Sequence, residues 1–169
     1  MSVLSTERLN LRHMAVEDAE FILELLNDPA FLQFVGDKGV RTIDDARHYI
    51  MTGPLASYER HGFGLWIVEP KGSNTPVGMC GLLKREALTD VDIGFAFLPR
   101  YRSMGYAFES AAAVLAYGRT ILGLQRIVAI TDDANAGSLR VLEKIGMSFD
   151  RLIRFSDDGP PIRLLVSPP

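Results

Sequence analysis

The chain has 169 residues, of which 47% are hydrophobic and 23% are charged, as in an ordinary globular domain rather than a disordered or collagen-like chain. Its net charge is −3 and it has no run of Lys and Arg, which argues against a nucleic-acid-binding protein. The single cysteine, Cys80, excludes an intramolecular disulfide, and its apolar neighbours predict a small buried side chain rather than a nucleophile.

Neither a targeting segment, a membrane span nor a metal site is predicted. The N-terminal residues lack a basic region followed by an apolar core, and no apolar stretch reaches the roughly 20 residues that span a bilayer. We therefore expect a cytoplasmic protein with no membrane partner. The three histidines, His13, His48 and His61, are scattered without the paired spacing of a metal site.

The first third of the chain predicts one strand followed by helices. Residues 9–13 alternate in polarity as a strand does, whereas residues 15–26 have the period of an amphipathic helix. Residues 31–39 form a loop or short helix with aromatic side chains that we expect to be exposed. Thr42 is the predicted N-cap of a second helix, which Pro54 interrupts before it resumes.

The rest of the chain predicts strands that alternate with two helices. Strands are expected at 63–69, 77–84, 91–98, 127–130, 147–153 and 162–166, and helices at 105–122 and 138–145. Gly146 is the predicted cap at the end of the second of these helices. The strand–helix–strand unit at 91–130 predicts a parallel, right-handed crossover. The chain therefore reads as one α+β domain over residues 1–169.

The segment between the strand at 91–98 and the alanine-rich helix carries the strongest chemical signal. The strand stops at Pro99, and a short basic loop with Gly105 leads into the helix. Free backbone N–H groups at the positive end of a helix dipole suit an anionic diphosphate. A plain turn that uses glycine for its backbone angles explains the same residues equally well.

Three blocks of the sequence, in order, resemble the GNAT superfamily of acetyl-CoA-dependent N-acetyltransferases. Arg102-x-x-Gly105-x-Ala107 resembles its acetyl-CoA loop. The opening run Thr6-Glu7-Arg8-Leu9-Asn10-Leu11-Arg12 and the block from Asn135 to Met147 are similar to the Rim-type branch, which acetylates the N-termini of ribosomal proteins. The resemblance implies a mixed, mostly antiparallel sheet flanked by helices, with a cleft between two splayed central strands at 91–98 and 126–132.

The resemblance also assigns site residues. It implies that acetyl-CoA, as co-substrate, contacts Phe95, Phe97, Leu98, Arg102, Ser103, Met104, Gly105, Tyr106, Ala107 and Asn135. The backbone of the loop would hold the pyrophosphate, while Phe95 and Phe97 would offer main-chain groups to the pantetheine arm. Asn135 and Ser138 are the implied catalytic residues, although N-capping and a solvated first turn would also explain them.

This chain departs from the family pattern at three positions. Arg102 stands where the Rim-type branch often has Trp, Met147 replaces the usual Phe, and Leu142 occupies the place of a Tyr that protonates the thiolate in many members. No general base is assigned, because Asp92, Glu86 and Asp157 are each expected to be solvated surface charges.

The predicted reaction is direct transfer of an acetyl group to a primary amine in a ternary complex, with no covalent enzyme intermediate. The acceptor is expected to be an amine and not a hydroxyl, such as a protein N-terminus. The second helix and the loop of residues 31–39, with Phe31 and Phe34, should line one wall of its groove. A polyamine, amino acid or antibiotic acceptor, and a non-catalytic CoA-binding module, are the alternatives. A homodimer is left open.

Overall fold

The computed structural model describes residues 2–168, which contain eight strands in one sheet. The strands are β1 (Ser2–Ser5), β2 (Leu9–Arg12), β3 (Leu65–Pro70), β4 (Gly78–Leu83), β5 (Val91–Phe97), β6 (Ile127–Thr131), β7 (Ser148–Ile153) and β8 (Ile162–Val166). Their order across the sheet is β1-β2-β3-β4-β5-β6-β8-β7, and every neighbouring pair is antiparallel except β5 and β6. The predicted mixed, mostly antiparallel α+β fold is confirmed.

Six α-helices flank this sheet. They are α1 (Ala19–Leu26), α2 (Pro29–Phe34), α3 (Ile43–Ile50), α4 (Ala56–His61), α5 (Tyr106–Thr120) and α6 (Ala136–Lys144). Two 3-10 turns precede α1 and α5, and a π-helical turn over Met51–Leu55 joins α3 to α4. Within residues 2–168, no helix is both long and apolar enough to cross a membrane.

The two faces of the sheet carry separate cores because strand side chains alternate between faces. On one face Trp66 and Ile93 pack with Val114 of α5 and Leu142 of α6. On the other face Ile67 and other strand residues pack against α1, α2 and α3. Burial on both sides explains why β3 to β6 are predominantly apolar.

The parallel strands β5 and β6 part soon after they begin. They pair only at Val91 with Ile127 and at Asp92 with Val128, so the remaining length of β5 has no partner on that side. The gap widens toward the carboxyl ends of both strands, where α5 and α6 begin. The predicted cleft between splayed central strands is therefore confirmed.

Several local predictions also hold. Thr42 caps α3 in a reciprocal box with Asp45, and Pro54 lies in the π-helical turn that interrupts the second helix. Gly146 adopts a φ of 92° directly after α6, which only glycine tolerates easily. Cys80 is fully buried, and burial raises the pKa of its thiol to about 12.

In the first third of the chain, two predictions differ from the structure. The short edge strand β1 was not expected, because four residues with partly exposed side chains give little periodicity. Phe31 was expected to be exposed but is 4% exposed, because the N-cap Asp28 starts α2 early and turns this side chain into the core.

Candidate active site

A cavity of about 590 Å³ lies at the open end of the cleft between β5 and β6. The loop before α5, the first turns of α6 and the helix α2 form its walls. Its polar lining includes Arg102, Arg140 and Lys144, whereas no acidic residue of the described chain lines it. Arg102 is paired with the buried Asp28, so Arg140 and Lys144 supply the positive charge that makes this cavity suited to an anionic ligand.

The loop before α5 presents a row of backbone donors. Between Ser103 and Phe108, six consecutive N–H groups donate to no other group within residues 2–168. Ser103 and Gly105 both have positive φ, 62° and 81°, and the left-handed conformation is costly for a serine. Unbonded N–H groups at the N-terminus of a 15-residue helix are chemically suited to an anion.

The side chain of Arg102 anchors this loop instead of entering the cavity as a free cation. Its Nη2 donates to Asp28 Oδ2 at 2.6 Å and its Nε donates to the carbonyl of Phe97 at 3.1 Å. Asp28 is buried and also caps α2 through the N–H of Phe31. Arg102 thereby ties the loop to both β5 and α2.

The main chain of β5 faces the cleft at Phe95 and Phe97. The N–H of Leu98 donates to Val77 on the β4 side at 3.1 Å, and successive residues of a strand point their backbone groups to opposite sides. Phe95 and Phe97 therefore point their backbone N–H and carbonyl groups toward the cleft. The carbonyl of Phe97 already accepts a hydrogen bond from Arg102. The groups that remain for a ligand are the N–H of Phe97 and the N–H and carbonyl of Phe95.

Asn135 and Ser138 lie at the start of α6 on the opposite wall of the cavity. Asn135 Oδ1 accepts a hydrogen bond from the N–H of Ser138 at 3.2 Å, so Asn135 is the N-cap of this helix. Both residues line the cavity, and Ser138 is half-buried there. The structure thus brings together the two candidates from this block and those from the loop.

Two residues assigned from the sequence lie outside the cavity lining. Leu98 is buried under the sheet, and its N–H and carbonyl are both used, by Val77 and Tyr101. Met104 points its side chain to solvent, although its N–H belongs to the donor row. Sequence reasoning also missed Arg140 and Lys144, whose spacing of four residues on α6 could have indicated a shared basic face.

Asp92 is the candidate carboxylate whose environment differs most from the expectation. It was expected to be solvated, but it is 1% exposed, at the last residue pair before β5 and β6 part. Its Oδ1 accepts from Arg85 Nε at 3.0 Å, whereas its Oδ2 has no partner within residues 2–168. Burial raises the pKa of Asp92 to about 6, despite the opposing effect of Arg85.

The other candidates have simpler environments. Glu86 and Asp157 are exposed, as expected, and neither lines the cavity. Leu142 is buried in the core, so its side chain cannot take the place of the missing tyrosine. Among residues 2–168 there is no group of three or more His, Cys, Asp or Glu side chains that could hold a metal ion.

Comparison with known proteins identifies the family. The model of the acetyltransferase (GNAT) domain matches residues 8–148. The chain belongs to the GNAT family. It is 33% identical over 154 residues to the uncharacterized protein YkkB of Bacillus subtilis, covering 89% of this chain and 88% of YkkB. It is 29% identical over 156 residues to the uncharacterized N-acetyltransferase YoaA of the same organism, covering 90% and 86%.

Solved GNAT structures share the fold over nearly the whole chain. A GNAT-family acetyltransferase from Bacillus anthracis superposes with a TM-score of 0.80 at 28% identity, covering 96% of each chain. RimL, a ribosomal L7/L12 α-N-protein acetyltransferase, superposes with a TM-score of 0.83 at 14% identity, covering 98% of this chain and 97% of RimL. Spermidine N-acetyltransferase from Vibrio cholerae gives 0.76 at 17% identity, covering 94% of each. The protein is thus an N-acetyltransferase that transfers an acetyl group to an amine, and the Rim-type branch is one of several neighbours of its fold.

Proposed function

We propose that the cavity binds acetyl-CoA, with its pyrophosphate on the loop before α5. The observation that carries this proposal is the row of six unbonded N–H groups from Ser103 to Phe108 at the edge of a cavity with no acidic lining residue. A diphosphate would satisfy these donors and interact favourably with the helix dipole. Arg140 and Lys144 supply further positive charge for the ribose phosphate of CoA.

The unpaired edge of β5 suits the pantetheine arm. Beyond Asp92 this edge has no neighbouring strand, and Phe95 directs its N–H and carbonyl into the gap. An extended chain with amide groups could add to the edge as a further strand would. This arrangement would direct the thioester toward the narrow end of the cleft, where Asp92 lies.

The bound co-substrate supplies an acetyl group activated as a thioester, and the residues of this chain promote its transfer. We assign proton acceptance from the attacking amine to Asp92 through an intervening water molecule, because its carboxylate is 1% exposed and is not among the residues that line the cavity. Its Oδ2 is free of partners, and a pKa near 6 leaves it ionised yet basic at neutral pH. A backbone N–H of β5 would stabilise negative charge on the acetyl oxygen, and Ser138 would donate to the departing sulfur.

We propose a primary amine as the acceptor, with a peptide N-terminus favoured over a small molecule. The wall formed by α2, with Phe34 half-buried and Val35 exposed beside the cavity, gives an apolar surface for a side chain next to that amine. The fold is shared with both RimL and spermidine N-acetyltransferase, whose names give a protein and a polyamine acceptor. The sequence similarity to the Rim-type blocks supports the peptide.

Release of free CoA, measured with a thiol reagent, tests the proposal. The panel contains short peptides with a free α-amino group, the same peptides with a blocked N-terminus, spermidine, amino acids and aminoglycosides. A free peptide should release CoA while its blocked twin does not. Turnover only with polyamines or aminoglycosides would overturn the peptide acceptor, and equal rates for free and blocked peptides would indicate lysine side chains instead.

A further inference from the structure

The turn between β1 and β2 is joined to the first turn of α5 by a cluster of hydrogen bonds. Glu109 accepts from the backbone N–H of Arg8 at 2.9 Å and from Arg8 Nε at 2.7 Å. Its Oε2 also accepts from the hydroxyl of Thr6. Both oxygens of Glu109 are therefore bonded to residues about 100 positions earlier in the chain.

Arg8 also reaches the phosphate-binding loop itself. Its Nη1 donates to the carbonyl of Met104 at 3.0 Å, and its guanidinium lies 4.8 Å from the centre of the Tyr106 ring. A methyl group added to Gly105 would come within 3.1 Å of Nη2. The side chain thus lies along the outside of the loop, between Met104 and Tyr106.

The backbone that carries Arg8 is fixed on both sides. The N–H of Thr6 donates to the carbonyl of Leu9, whose own N–H donates back to the Thr6 hydroxyl at 3.1 Å. The carbonyl of Arg8 accepts from the N–H of Lys71 next to β3. The guanidinium therefore extends from a hairpin whose backbone is hydrogen-bonded on both sides of Arg8.

The charge of Glu109 makes this contact important for an anionic ligand. A carboxylate in the first turn of a helix interacts well with the dipole, but it repels a diphosphate bound at the same end. Burial alone would raise the pKa of Glu109, yet the bonds from Thr6 and Arg8 outweigh it and keep the pKa below its usual value. Glu109 therefore stays ionised, and Arg8 supplies the opposite charge.

We propose that Thr6, Arg8 and Glu109 form a brace that holds the loop of residues 103–108 in its binding conformation. In this brace Arg8 is a positioning residue for acetyl-CoA, acting through the Met104 carbonyl and by neutralising Glu109. The proposal rests on the proposed binding of acetyl-CoA at this loop. It also gives the opening Thr-Glu-Arg block a role that its position outside the cavity lining does not reveal.

The test compares Arg8→Ala, Glu109→Gln and the double variant with the wild type, by calorimetric titration with CoA and by steady-state kinetics. Arg8→Ala should raise both the Kd for CoA and the KM for acetyl-CoA at least tenfold, with kcat and the acceptor KM changed less than threefold. The double variant should bind CoA at least threefold more tightly than Arg8→Ala, because it has no unpaired carboxylate at residue 109. Arg8→Lys should bind better than Arg8→Ala, because it restores the charge.

Arg126→Ala is the matched control, since Arg126 is equally exposed, at 47%, and pairs with Asp90 far along the chain. Its CoA affinity should equal that of the wild type. If Arg8→Ala does not fold, Arg8→Gln, which keeps most of the side-chain length, takes its place. An unchanged CoA affinity in a folded Arg8 variant would overturn the proposal. A double variant that binds CoA no better than Arg8→Ala would also overturn it, and would favour direct contact of Arg8 with the ligand. A wild type that does not bind CoA would instead refute the proposed function.

Discussion

Replacing Asp92 with asparagine should stabilise the fold at neutral pH while it removes activity. The pKa of this buried carboxyl is raised from an ordinary value of 3.8 to about 6. Between these values the folded protein holds a proton that the unfolded chain has lost. The stability that this group contributes is therefore fully present below pH 4 and is lost as the pH rises through 6.

The size of the effect follows from the two pKa values. A tenfold change in proton affinity corresponds to about 1.4 kcal/mol, so the difference between 3.8 and 6 is worth at most about 3 kcal/mol. Urea unfolding of both proteins from pH 4 to pH 8 measures it. The free energy of unfolding of Asp92→Asn minus that of the wild type should increase by up to about 3 kcal/mol between pH 4 and pH 7.

The activity of the same variant tests the assignment of Asp92 as proton acceptor. Loss of a general base typically costs about 100-fold or more, and the wild-type kcat/KM should rise with pH through an apparent pKa near 6. Asp157→Asn, in an exposed loop, should retain full activity. A stability difference that does not change with pH would refute the burial argument, and activity within threefold of the wild type would refute the catalytic role.

Three further predictions concern the loop, the start of α6 and the fold. Gly105→Val and Gly123→Val each force a side chain into positive φ, at 81° and 69°, and each should lower the free energy of unfolding by about 1–2 kcal/mol. Only Gly105→Val should weaken CoA binding in calorimetry, at least tenfold. Equal CoA affinities of the two variants would contradict the role of the loop. Ser138→Ala should lower kcat about tenfold without changing the Kd for CoA, whereas an unchanged kcat would mean that its hydroxyl does not assist the leaving sulfur. Thr42→Ala removes one half of a capping box and should cost about 1 kcal/mol in thermal unfolding, with activity unchanged.

Elements with strong periodicity or clear caps were predictable from the sequence, and so was the cleft. The apolar run at 127–130 indicated a buried central strand, and the resemblance to the GNAT superfamily placed the cleft between this strand and the strand at 91–98. The exposed strand β1 was missed because its stability comes from pairing with β2 and not from its own pattern. Boundaries such as the early start of α2 depend on Asp28, whose partner Arg102 is 74 residues away.

The candidate site was predictable as a set of backbone positions and less so as side chains. Unbonded N–H groups follow from a loop that leads into a helix, which the sequence displays locally. The direction of the Arg102 side chain, the burial of Asp92 and the contact of Arg8 with Glu109 depend on segments that are distant in sequence. No local pattern carries that information, and for this reason Asp92 was mistaken for a surface charge.

Only two residue pairs join β5 to β6, so the sheet consists of a five-stranded leaf, β1 to β5, and a three-stranded leaf, β6 to β8. The smaller leaf, β6, β7 and β8 with α6, is one continuous stretch of chain from Ile127 to Val166. The backbone ladder between the leaves is therefore short, whereas Leu142 of α6 packs with Trp66 and Ile93 of the larger leaf, so one core continues across the joint. Side-chain packing on one face thus holds the two leaves together, which keeps the edge of β5 open without separating the halves of the sheet.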